Sequence, residues 1–130
     1  MATLTPTLTL TSTDATADQL SLSVTDSLTV KAPIINLSRI ASEGSGGSVV
    51  NVVAPSITGH KFLYIKHTGF QANGSSSTAA ELIVSIAGND GIRLNAGEFS
   101  YFPVKTALSV GVQSNTSETI QVEYGYWTRS

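Results

Sequence analysis

The sequence predicts an all-β fold, an antiparallel two-sheet β-sandwich with the jelly roll as one form of it, preceded by an extended N-terminal arm. Three observations predict it. Apolar residues recur at every second position through most of the chain, the period of a strand whose alternate side chains face opposite sides. Runs of Gly, Asn, Asp, Ser and Pro punctuate these segments roughly every 8–12 residues, the spacing of a sandwich or barrel. No window sustains the helical period of about 3.6 residues beyond two turns. Composition agrees: Thr, Val and Ile are abundant, and these residues suit a pleated, half-buried surface.

The 130 residues fit one domain of ordinary size, enough to bury roughly 65% of the unfolded surface. Charged residues make up only 12%, about half the usual share of roughly 25%. Ser (18) and Thr (16) fill the gap, so hydroxyls rather than ions carry the surface polarity. Such a surface suits burial under partner chains.

Residues 1–30 read as a separate β-prone arm. Thr3, Thr5, Thr7, Thr9 and Thr11 alternate with Leu4, Leu8 and Leu10. A turn over Asp14–Asp18 leads to Leu20, Leu22 and Val24, alternating with Ser21, Ser23 and Thr25; Asp26-Ser27 turns again before Leu28-Thr29-Val30. The texture predicts three short strands. The arm holds Asp14, Asp18 and Asp26 and no cation before Lys31. Two placements are open: a hairpin on its own sheet, or an added strand on a neighbouring subunit, joined by main-chain hydrogen bonds. Leu4, Leu8 and Leu10 are its candidate partner-binding residues.

Residues 31–130 read as the sandwich. Ala32-Pro33 breaks the arm's pattern, and a strand follows over Ile35–Ile40, with Ile35, Leu37 and Arg39 on one face and Asn36, Ser38 and Ile40 on the other. Glu43–Ser48 is a flexible loop by composition. Val49–Val53 is an apolar strand, Pro55–Gly59 a turn, and Phe62–His67 a strand apolar on both faces, as in a sheet centre. A second long loop spans Asn73–Thr78. Glu81–Ala87 alternates, and Gly88-Asn89-Asp90-Gly91 predicts a tight hairpin turn. Ile92–Leu94, a turn at Ala96-Gly97, and Glu98–Pro103 follow, with Phe99 and Tyr101 sharing a face. Leu108, Val110 and Val112 alternate. After a turn at Asn115–Ser117 comes the cleanest strand, in which Ile120, Val122, Tyr124 and Tyr126 alternate with Thr119, Gln121, Glu123 and Gly125.

The chemistry-bearing residues predict no catalytic, cofactor or metal site, and hence not an enzyme. Cysteine is absent, which excludes disulfides, thiolate metal sites and a Cys nucleophile. His60 and His67 lack a Gly-x-Ser-x-Gly elbow for catalysis and a third donor at zinc spacing. The five glutamates (Glu43, Glu81, Glu98, Glu118, Glu123) show no spacing that singles out a catalytic pair. Gly44–Ser48 lacks the Lys-Ser/Thr of a phosphate loop, and Asn89-Asp90-Gly91 lacks the acidic series of a calcium loop. The seven cations are scattered singly, whereas nucleic acid needs them clustered. Glycosylation-like triplets begin at Asn36, Asn73 and Asn115; in a chain this rich in Ser they read as chance. Met1–Leu10 has neither the basic start nor the apolar run of a secretion signal, and no apolar stretch is long enough for a transmembrane helix, so synthesis in a cytoplasm and no membrane partner are expected. Tyr124 and Tyr126 are in phase with the core; Trp127 points the other way and is the fourth candidate contact residue.

Three stretches carry a resemblance. Thr3–Leu10 with Leu20–Val30 resembles small virion proteins of marine tailed phages, cyanophages in particular. Lys61-Phe62-Leu63-Tyr64-Ile65-Lys66-His67-Thr68-Gly69 is similar to a strand of phage structural β-sandwiches, in which Asn often stands at the place of His67. Leu94-Asn95-Ala96-Gly97-Glu98-Phe99-Ser100-Tyr101-Phe102-Pro103 is similar to a turn of the same proteins. The resemblance implies a capsid decoration (cement) protein on the phage head, bound to the major capsid protein as a homo-oligomer, often a trimer. A tail, neck or fibre module, structural or glycan-binding through Trp127 or Tyr64, is the alternative.

Overall fold

The computed structural model describes residues 2–31 and 35–130. The arm supplies β1 (Ala2–Leu4), β2 (Thr7–Ser12), β3 (Leu20–Thr25) and β4 (Leu28–Val30). The body supplies β5 (Ile35–Ser42), β6 (Val50–Val53), β7 (Lys61–His67), β8 (Leu82–Ile86), β9 (Asn89–Leu94), β10 (Phe99–Val104), β11 (Val110–Ser114) and β12 (Ile120–Thr128). The body is an all-β sandwich of two four-stranded antiparallel sheets, ordered β10-β7-β12-β5 and β6-β11-β8-β9. The pairing is nested: β5 lies beside β12, β6 beside β11, β7 beside β10 and β8 beside β9. The first half of the body thus pairs, strand by strand, with the second half in reverse.

The core forms between the two sheets. Leu63 and Ile65 of β7 and Ile120, Val122, Tyr124 and Tyr126 of β12 meet Leu82, Val84, Val110 and Val112 of the second sheet. Period two explains it: alternate residues of each strand point inward, and the central strands β7, β12, β8 and β11 are the most buried. Gly111 of β11 sits in close approach, since a Cβ there would come 2.3 Å from the Val49 side chain, which would have to shift.

His67, fully buried at the end of β7, is a structural residue. Its Nδ1 accepts the Gly69 N–H (2.9 Å) and its Nε2 donates to the Ala80 carbonyl (2.9 Å). The ring therefore ties β7 to the chain entering β8.

Two sequence expectations shift. The arm has four strands rather than three, because Pro6 interrupts the first; its carbonyl accepts the Asp26 N–H (3.1 Å), so both strands of the ribbon break at one level. The hairpin turn lies at Ala87-Gly88 rather than over 88–91, because a register shift after Val84 draws Asn89 and Asp90 into β9 opposite Ile86 and Ser85. Both turn residues have positive φ, 51° and 81°, as a two-residue primed turn demands. The loops expected to be flexible carry hydrogen bonds of their own: Asn73 Oδ1 accepts the N–H groups of Ser75 and Ser76, and the Ser45 N–H reaches the Thr116 carbonyl. The expected break at Ala32-Pro33 lies outside the described residues, as do the side chains of Ile35 and Asn36.

The arm pairs within its own chain. β1 with β4 and β2 with β3 form a bent two-stranded ribbon. It is anchored where Val30 bridges Arg129, Lys31 N–H donates to the Thr128 carbonyl (2.8 Å) and Ser130 N–H donates to the Thr29 carbonyl (3.1 Å).

Candidate functional site

The outer face of the β10-β7-β12-β5 sheet is unlike a solvated sheet surface. Residues directly opposite in an antiparallel pair share a face, so the register sets Tyr101 beside Tyr64, Phe99 beside Lys66, and Pro103 beside Phe62. On the next strand Trp127 lies opposite Phe62, Gly125 opposite Tyr64 and Glu123 opposite Lys66. Phe62 and Tyr101 stack with ring centroids 6.5 Å apart and planes 9° apart. Gly125 leaves room for its neighbours, since a Cβ there would come 3.3 Å from both the Trp127 ring and Leu37.

The arm ribbon bends over the β10 side of this face. Between them runs a groove of about 640 Å³, with Leu8, Val24 and Leu28 on the ribbon wall and Tyr64, Phe99 and Tyr101 on the sheet wall. Burial raises the Tyr101 phenol above its ordinary value of 10.0, and the Asp26 carboxylate of the arm adds to the shift. Burial likewise raises Tyr64, reinforced by Glu123, whose Oε1 accepts the Tyr64 hydroxyl (3.1 Å). Glu123 also faces Arg39 at 3.8 Å.

The ribbon's apolar face extends past the groove. Leu8 pairs with Val24 and Leu10 with Leu22, all four on one side, and they remain 47%, 52%, 45% and 40% exposed. The opposite side is Thr and Ser, with a Thr7–Thr25 hydroxyl contact at 3.0 Å. A two-stranded ribbon with its apolar side in water is marginal on its own and gains by being covered.

The four candidate contact residues are thus placed apart. Leu4 is half-buried opposite Leu28, Leu8 lines the groove, Leu10 lies beyond it, and half-buried Trp127 sits one strand away from the groove lining. Sequence reasoning missed Val24, Phe99 and Tyr101 as wall residues. Their signal was there: Phe99 to Val104 is apolar on both faces, so each face needs a cover.

The other sequence candidates have local partners. Glu43 accepts the Ser48 N–H, Glu81 pairs with Arg93 (2.9 Å), Glu98 accepts the Asn95 N–H, and Glu118 accepts the Thr78 hydroxyl. His60 is exposed, and its carbonyl accepts the Arg129 N–H. Lys61 is fully buried; its ammonium donates to the Gly59 carbonyl (3.1 Å), and desolvation lowers its pKa from 10.5. Among the described residues no three His, Cys, Asp or Glu side chains are grouped to hold a metal ion, and no helix is long and apolar enough to cross a membrane.

No family model, curated protein or solved structure matches the chain. What it can do is therefore read from this surface: an apolar ribbon, an aromatic-walled groove, and Arg39, Lys66 and Glu123 as the charges beside them.

Proposed function

We propose that this chain is a virion structural protein, a capsid decoration subunit that binds the major capsid protein lattice on a phage head, and that its body has jelly-roll connectivity. One observation carries the reading: the ribbon presents Leu8, Leu10, Leu22 and Val24 to solvent as a single face on an anchored base. Covering that face is worth roughly 7 kcal/mol by area, before the cost of association. A rigid sandwich that projects such a ribbon fits a role as a clasp across a joint between shell subunits. The low share of charge and the resemblance of the arm to phage virion proteins support the same reading.

The test is direct. Purified protein is added to expanded shells that lack it, and binding is measured by co-sedimentation. Saturable binding at micromolar concentration is expected, with loss of affinity in Leu8→Ser and Leu10→Ser. Absence of binding at that concentration would sink the proposal.

A second reading rests on the groove. Aromatic rings beside hydroxyl and carboxylate groups suit stacking against a sugar, as in a tail, neck or fibre module that binds a host glycan. Tyr64 lines the groove and Trp127 lies next to Phe62 on the same face. A glycan array decides it: hits lost in Tyr64→Ala support this reading, and an array without hits removes it.

A further inference from the structure

We propose that the acidic tip of one copy's arm seats in a cationic hollow on a second copy, so that the chain self-associates head to tail. This goes beyond shell binding and does not depend on it.

Charge is divided unevenly along the chain. Residues 1–30 hold Asp14, Asp18 and Asp26 and no Lys or Arg. All seven cations lie from Lys31 onward, against six carboxylates there, Asp90 and the five glutamates. Each copy therefore offers an arm of charge −3 and a remainder of +1. Two of the three arm carboxylates, Asp14 and Asp18, sit on the exposed loop joining β2 to β3, directly beyond the exposed pair Leu10 and Leu22. The tip thus presents an apolar patch followed by acid.

The matching surface lies on the same outer face of the sheet, beside the groove and toward β5. A hollow of about 220 Å³ is lined by Arg39, Lys66, Phe70, Gln121 and Glu123. Glu123 is already engaged by Arg39 (3.8 Å) and by the Tyr64 hydroxyl (3.1 Å). The two ion pairs among the described residues are Arg39–Glu123 and Arg93–Glu81, and neither uses Lys66. Exposed Phe70 belongs to the hollow, and exposed Leu37 stands two residues before Arg39 on β5. The hollow is therefore cationic with apolar neighbours, the complement of the tip. The chain's own ribbon flanks the β10 side, so the Arg39 side of its sheet stays open.

Tip and hollow are different patches, so the contact is heterologous and closes into a ring or runs on as a chain.

The full-length protein, without any shell, tests this by sedimentation velocity at about 10–100 μM. Association is expected, weakened at least tenfold by raising salt, because the pairs are exposed. Asp14→Lys with Asp18→Lys, both in an exposed loop, should weaken it at least tenfold at low salt. Adding Lys66→Glu should restore it, with circular dichroism confirming the fold. A wild-type monomer at 100 μM overturns the inference, whether or not the protein binds shells. So does association that ignores the Asp14→Lys/Asp18→Lys change, or a Lys66→Glu partner that folds and fails to rescue.

Discussion

At His67 both ring nitrogens are committed, one accepting from Gly69 and one donating to Ala80. His67→Ala strands the partly buried Gly69 N–H and the buried Ala80 carbonyl and opens a cavity, so we expect a loss of about 2–4 kcal/mol in urea unfolding. His67→Asn, which keeps a donor and an acceptor, should lose less. Lys61 behaves oppositely, as a buried cation with a carbonyl partner. Its folded-state pKa is lowered from 10.5, so the unfolded chain binds its proton more tightly. Its destabilising contribution is full below the folded value and vanishes above 10.5. Unfolding curves of the parent and Lys61→Met should therefore shift in the parent's favour as pH rises toward 10.5. Neither role was visible in the sequence. A histidine at a strand end is ambiguous until the carbonyl of Ala80, thirteen residues away, is placed beside it.

Among the elements, the β8–β9 hairpin holds one of two non-glycine residues with positive φ among the described residues. Ala87 adopts φ of 51° in the turn, where glycine carries no steric penalty. Ala87→Gly should stabilise the protein by about 0.5–1 kcal/mol, read from the urea midpoint. The arm ribbon makes the contrasting case. Leu10 is exposed and lies outside the body core, so Leu10→Ser should change the stability of the dilute chain by no more than about 0.5 kcal/mol while weakening assembly. Strand positions along both elements were legible because period two is a local property. The turn at Ala87-Gly88 was not, because Asn-Asp-Gly is the stronger local signal and the apolar pairing of Val84 with Ile92 and Leu82 with Leu94 overrode it.

At the scale of the whole molecule, the nested pairing places strands from opposite ends of the body side by side, and one face of the resulting sheet meets the arm. Three phenols report on that arrangement. Burial raises Tyr64, Tyr101 and Tyr126 above 10.0, with Glu123, Asp26 and Tyr124 respectively adding to it. A raised folded value means the native state holds these protons more tightly. The stability they contribute is complete below pH 10.0 and is lost as pH rises through the raised values. Urea midpoints should therefore fall as pH rises above 10.0, and Tyr101→Phe with Tyr64→Phe should flatten the fall.

By itself the sequence determined the all-β class, the inward and outward residues of most strands, and the division into an arm without cations and a body that holds them all. These follow from alternation and charge, which are written residue by residue. Only the tertiary structure decided that the arm pairs with itself, that it bends at Pro6 and Asp26 over the Tyr64–Tyr101 face, and that Arg39, Lys66 and Phe70 come together on one outer surface. Strand partners up to about ninety residues apart decide those neighbours, and period two says which way a side chain points but never which strand lies beside it. The face that the arm leaves open is a product of that pairing.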